Sequence, residues 1–257
     1  MRVYRLEFVA AGRTLDDDEI ELISALLGTL RMNGQIYGRE FPFYRAGEAV
    51  CAQVMVPESG ALDTNHRGRY VARDYERLRV ARVQVSHVDL GSELDSQPAC
   101  QCQAPSAYLL STNYLAIVSP IDCLDCGGAV PLYRFAPFAS GEYSELISWQ
   151  SDYQSCDHLQ MNCSTLVRAG MREISRLDSA LSRRGLDYAA QLAAGCGRPV
   201  YYYLYRYGAR SLRQERARRC PGCGGEWLLD TPIRCFDFKC DNCRLLSNIA
   251  WNVRDGA

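Results

Sequence analysis

Histidine and lysine are scarce in this 257-residue sequence: His66, His87 and His158 are the three imidazoles, and Lys239 is the single lysine. Three imidazoles are too few to build metal sites mainly from histidine, and thiolate sites are favoured. Nowhere do about 18 apolar residues run together, and no membrane span is expected. The opening Met-Arg-Val-Tyr-Arg-Leu-Glu-Phe lacks the apolar stretch of a signal peptide, which points to the cytoplasm. No P-loop, G-x-S-x-G, H-E-x-x-H or dinucleotide fingerprint occurs, and the chain is expected not to be an enzyme.

Cysteine, by contrast, is abundant at thirteen residues. In a reducing compartment thiols stay free unless a metal takes them, so metal is the first explanation for such a load. The rest of the composition, 47% hydrophobic and 23% charged, is that of a soluble globular protein able to bury one or two cores. The net charge of -1 conceals an asymmetry. From Arg198 onward eleven basic residues face six acidic ones, a local excess of +5. A zinc ion held by four thiolates would reduce this to about +3.

Hydrophobic periodicity points to an α+β protein. Tyr4, Leu6 and Phe8 alternate with Arg5 and Glu7 as in a half-buried strand. Asp16 and Glu19 form a capping box before Ile20, Ile23, Leu27 and Leu30. Asn33-Gly34 ends that helix, and residues 35–44 and 48–56 read as two strands. Val71, Tyr75 and Leu78 mark a second helix, and Val83, Val85 and His87 a last strand. The resulting order, βαββαβ over residues 1–92, is the ferredoxin-like arrangement. Residues 93–138 form a cysteine-bearing β segment in which residues 131–135 are a strand. Residues 139–197 are helical, with Leu146, Trp149, Tyr153 and Cys156 on one face. Residues 198–257 combine a tyrosine-rich strand, residues 200–207, with a terminal ribbon.

In Cys220-Pro-Gly-Cys223-Gly-Gly and Cys240-Asp-Asn-Cys243, sixteen residues (224–239) separate Cys223 from Cys240, a spacing that marks paired zinc knuckles. Cysteine at all four positions closes the site to water, which makes its zinc structural; a redox dithiol or an iron–sulfur centre is the competing reading. Cys123-Leu-Asp-Cys126-Gly-Gly repeats the knuckle, and Cys100-Gln-Cys102 lies twenty residues before it. A hairpin would join Cys100, Cys102, Cys123 and Cys126 as a second zinc site, the alternative being reduced thiols. Cys156-Asp157-His158 with Cys163 resembles a Cys-His nucleophile in composition, yet adjacent helical residues point apart. Cys51, Cys196 and Cys235 read as packed thiols.

Tyr205, Arg206, Arg210, Arg213, Arg216, Arg218 and Arg219 place aromatic and cationic groups immediately before the ribbon, a pattern suited to stacking bases and pairing phosphates. The same pattern arises from core tyrosines beside a solvated arginine face. Trp227 and Trp251 are expected to pack in the ribbon.

Asn33-Gly34-Gln35, Gly38-Arg39-Glu40-Phe41, Leu132-Tyr133-Arg134, Trp149-Gln150-Ser151-Asp152, Leu159-Gln160-Met161-Asn162, Tyr202-Tyr203-Leu204-Tyr205-Arg206 and the CPGCGG ribbon occur in that order. In these the chain resembles, over nearly its whole length, a bacterial family of zinc-ribbon-containing proteins described as candidate nucleic-acid binders. The resemblance implies the ribbon ligands Cys220, Cys223, Cys240 and Cys243 and no catalytic residue. The expected function is that of a non-enzymatic zinc protein contacting DNA or RNA. The rival is an adaptor or immunity-type protein that holds a protein partner such as a nuclease toxin.

Overall fold

In the computed structural model, which describes residues 1–254, Tyr4, Leu6 and Phe8 are buried along one side of strand β1 (Arg2–Ala10). Helix α1 (Asp17–Met32) starts at the expected capping box, where Glu19 N donates to Asp16 Oδ1 and Asp16 N donates to Glu19 Oε2. It ends at Asn33, and Gly34 takes the left-handed backbone (φ 71°). Strands β2 (Phe43–Ala46) and β3 (Ala49–Val56), helix α2 (Arg69–Val80) and strand β4 (Val83–Ser92) follow. The strands lie in the order β2-β3-β1-β4, and all pairs are antiparallel. Leu6 and Phe8 pack with Ile23, Leu27 and Leu30 of α1 and Val71 and Leu78 of α2 in one core.

Two local expectations fail for identifiable reasons. Residues 35–42 are not strand, because Gly38 (φ 114°) turns the chain and Pro42 has no N–H for a ladder. The Asn33 and Gln35 side chains instead bond the backbone carbonyls of His66 and Ala61. The strand expected at residues 131–135 is a 3-10 turn, Leu132–Arg134, closed by Arg134 N to Pro131 O and Phe135 N to Leu132 O.

Contacts divide the chain into two units, the first formed by residues 1–101, 117–119 and 126–145, the second by residues 102–116, 120–125 and 146 onward. The second contains strands β5 (Tyr108–Leu110), β6 (Ile121–Cys123), β7 (Val200–Tyr203), β8 (Leu228–Ile233), β9 (Phe236–Cys240) and β10 (Leu245–Ser247) in one sheet, ordered β6-β5-β7-β10-β9-β8. The ribbon is therefore continuous with the sheet: β10 runs parallel to β7 and antiparallel to β9. The long helical stretch is three helices, α3 (Ser144–Asn162), α4 (Val167–Ser175) and α5 (Ala180–Cys196). Leu166 in the left-handed conformation (φ 59°) separates α3 from α4, and Ser179 caps α5.

Strand alternation sends the tyrosines of β7 to opposite faces. Tyr202 meets Trp149 and the Ser182 hydroxyl, whereas Tyr201 packs with Leu109, Phe236 and Leu246. The strand ends at Tyr203, earlier than expected, because the Asn248 side chain takes over both backbone groups of Arg206. A short helix, α6 (Leu212–Arg216), leads into the ribbon.

Candidate metal centres

Both predicted cysteine quartets are assembled, and in each the four sulfurs lie within 4.8 Å of one another. A divalent ion with thiolates at about 2.3 Å spans a tetrahedron with edges of about 3.8 Å. The Cys223 and Cys240 sulfurs, 3.7 Å apart, match that edge. The surrounding backbone is shaped to the sulfurs. Cys220 N donates to Gly225 O and Gly224 N to Cys220 O, closing the first knuckle, and Cys243 N points at the Cys240 sulfur at 3.4 Å. A side chain at Gly222 would stand 2.7 Å from the Cys243 sulfur, so glycine is required for the second knuckle to approach the first.

Four thiols confined to one sphere cannot ionise independently. The Gly225 amide and the neighbouring sulfurs hold the Cys223 thiol down at about 6. Burial and the neighbouring thiols push Cys243 up to about 12. Full ionisation of such a set calls for a cation among the sulfurs, and a thiolate cluster suits a soft or borderline metal.

The quartet of Cys100, Cys102, Cys123 and Cys126 shares this construction. Its knuckle glycine Gly127 has φ 82°, as Gly224 has φ 71°, and Gly128 N points at the Cys126 sulfur at 3.4 Å, within reach of a weak N–H to sulfur contact. A side chain at Gly128 would stand 2.9 Å from the Cys100 amide nitrogen. In each quartet the first cysteine of each pair is buried and the second lies further out. Two arginines that spacing could not reveal complete the surroundings. Arg134 Nη1 donates to Cys100 O at 2.7 Å, while its Nη2 pairs with Glu58, and Arg234 Nη2 donates to Cys123 O at 2.8 Å. Outer groups of this kind orient metal ligands and offset their charge.

The remaining thiols are not drawn into metal clusters among the described residues. Cys51 is buried, Cys196 half-buried and Cys235 exposed. Burial pushes the Cys156 thiol up, the opposite of what a nucleophile needs, and Asp157 accepts from the Tyr114 and Gln160 N–H groups.

The expected contact residues separate into two sets. Arg210, Arg213, Arg216 and Arg219 are exposed, with Arg219 paired to Glu226. Arg206 and Arg218 instead turn onto Glu215, a carboxylate only 1% exposed, so these two do not belong to a solvated arginine face. Tyr205 is half-buried, edge-on to Tyr203. Trp227 is buried against Phe238, and its indole N–H donates to Arg218 O; Trp251 is 45% exposed rather than packed.

Three families of domains of unknown function match this chain: DUF8589 over residues 1–90, DUF2310 over 102–205 and DUF8594 over 209–253. A Haemophilus influenzae protein described as uncharacterized is 36% identical over 242 residues, 92% of this chain and 93% of the relative. A second Haemophilus influenzae protein, described in the same words, is 39% identical over 164 residues, 63% of this chain and 81% of the relative. No solved structure matches significantly.

Proposed function

Since the chain belongs to the family of these Haemophilus influenzae proteins, whose descriptions assign no activity, we propose from its own geometry that it is a non-enzymatic protein built around two structural zinc ions. The observation that carries this reading is the pair of four-sulfur groups within 4.8 Å, one with a 3.7 Å sulfur–sulfur edge. Zinc fits four thiolates in a tetrahedron and leaves no coordination position for water or substrate, so the centres hold the chain rather than react. Thirteen cysteines without a disulfide accord with a reducing, cytoplasmic setting. The βαββαβ order of residues 1–92 and the strand order β2-β3-β1-β4 support a ferredoxin-like reading of that region, which by itself carries no function.

Elemental analysis tests the proposal: two zinc ions per chain are expected, falling to one when Cys123 and Cys126 are replaced by serine. A content of one that this replacement leaves unchanged would remove the second site.

For the surface we propose contact with nucleic acid, supported by the exposure of Arg210, Arg213 and Arg216 beside the ribbon. Phosphate pairing releases counterions and weakens with salt. Replacing Arg213 and Arg216 with alanine is expected to flatten the salt slope of oligonucleotide binding by about 0.7 per lost contact. Absence of oligonucleotide binding at low salt, with a protein partner copurifying through nuclease treatment, would favour the adaptor reading instead.

A further inference from the structure

A cleft of about 730 Å³ opens beside the ribbon, between the irregular segment at Arg206–Arg210, helix α6 and Asn252. Three arginines and one glutamate line it, an excess of two positive charges. We propose that it is a built site for one phosphate group of a nucleotide, held by Arg206 and Arg210. The choice of phosphate over other anions rests on the nucleic-acid reading; the site itself follows from how the arginines are held.

Glu215, at the floor, accepts from Arg206 Nε and Nη2 at 3.0–3.2 Å and lies 3.0 Å from Arg218 Nε. Arg218 is pinned on its other sides. Its guanidinium lies over Trp227 and Phe238, and its Nη2 donates to Ser247 Oγ and Asn248 O. The carboxylate thus neutralises one of the two inner cations and fixes both, leaving Arg206 Nη1 outside the pairing.

The loop bearing the outer cation is fixed just as firmly. Asn248 bonds both backbone groups of Arg206, and Asn252 bonds both backbone groups of Ala209. Between these two clamps the chain has no regular structure, so its side chains supply the order that a ladder would otherwise give. Arg210 follows directly, is exposed, and makes no ion pair among the described residues. Arg206, whose guanidinium is fixed before binding, loses little entropy on meeting an anion, Arg210 is carried on a clamped backbone, and a guanidinium suits phosphate geometry. Tyr207 and Trp251, next in the chain to cleft residues Gly208 and Asn252, are 51% and 45% exposed. Their exposed rings, Trp251 with the Arg254 guanidinium 5.1 Å over its centroid, are aromatic surface on which a base can stack.

The test uses the full-length, metal-loaded protein and calorimetric titration with adenosine 5′-monophosphate, adenosine and a ten-residue oligothymidylate. The monophosphate should bind and adenosine should not. Arg210→Ala should weaken the monophosphate about tenfold or more, the scale of one charged hydrogen-bonded contact. Arg213→Ala, outside the cleft, should leave the monophosphate unchanged while weakening the oligonucleotide. A free nucleotide as ligand would show oligothymidylate binding no tighter than the monophosphate, and a nucleic-acid strand the reverse. Oligonucleotide binding reduced equally by Arg210→Ala and Arg213→Ala, with no monophosphate binding, would overturn the cleft and leave the nucleic-acid reading standing. Binding of neither probe would overturn both.

Discussion

Arg234, at the turn between β8 and β9, donates from Nη2 to the carbonyl of Cys123, 111 residues earlier in the chain, at 2.8 Å. The terminal hairpin therefore carries a group that reaches the other cysteine quartet. Arg234 holds a left-handed backbone (φ 55°), unusual for a residue with a side chain. Arg134 plays the matching part at Cys100. Four thiolates around a divalent ion carry a net charge of about −2, which cations at both buried cysteines offset.

Arg234→Met should accordingly weaken metal at Cys100, Cys102, Cys123 and Cys126 by about tenfold, the lower end of outer-shell effects, and spare the ribbon. Chelator titration of the variant should release one ion early and the second as in the native protein. A release profile identical to that of wild type would deny Arg234 this role.

Glycine positions in two helices should respond oppositely to alanine. Gly28 is exposed in α1, and a methyl carbon added there would meet nothing within 4 Å, so Gly28→Ala is expected to stabilise by about 0.5–1 kcal/mol through helix propensity. At Gly185 in α5 the same carbon would stand 2.3 Å from the Tyr202 ring and 2.9 Å from Trp149 Nε1. Gly185→Ala should cost about 2 kcal/mol or more, because both aromatic neighbours are fully buried and cannot move aside. Denaturant midpoints of the two variants measure the contrast.

Much of the first unit was legible because its signals are local. Period-two alternation gave β1, and Asp16 with Glu19 gave the start of α1. Both quartets were legible from the repeated C-x-x-C-G-G, since knuckle chemistry is written within six residues. What surrounds them was not. Arg134 and Arg234 reach their cysteine carbonyls across 34 and 111 residues, separations at which no periodicity operates. The Arg-Gln-Glu-Arg of α6 looks like a solvated face, yet Glu215 is buried because cations from both sides converge on it. The tyrosine run forms a strand shorter than its alternation predicts, because the strand stops where Asn248 supplies the hydrogen bonds.

Acid should loosen α1 through Glu19. Hydrogen bonds from Arg13 hold its carboxyl below the usual range, with burial opposing and the Asp16 amide assisting. A carboxylate depressed in the folded state stabilises above its unfolded pKa, and that contribution disappears as pH falls through the folded value. Glu19→Gln should thus reduce hydrogen-exchange protection of α1 at pH 7, and the difference from wild type should narrow as pH drops below about 4. A difference that stays constant with pH would assign the effect to capping geometry alone.

Glu215 offers the sharpest test of how the segment before the ribbon is held. Its carboxylate is 1% exposed and faces Arg218, whose side chain is 17% exposed, and the more open Arg206 at 38%. Arg218 Nε lies 3.0 Å from Glu215 Oε1 yet makes no well-angled hydrogen bond, so charge attraction rather than a directed bond joins them. Glu215→Gln keeps the shape and removes the charge, leaving the half-buried Arg218 without its counterion. Breaking a buried pair on one side costs about 3–5 kcal/mol; the exposure of Arg206 lets solvent screen part of this, so about 2–3 kcal/mol is expected. Because Arg218 stacks on Trp227 and Phe238, the loss should also free the buried indole, seen as a red shift of Trp227 fluorescence at sub-denaturing urea. Replacing Glu215 and Arg218 together by methionine should restore most of the stability, since no uncompensated charge then remains buried. If the double variant were as unstable as the sum of Glu215→Met and Arg218→Met measured singly, the pair would not be coupled and packing alone would account for the position of α6.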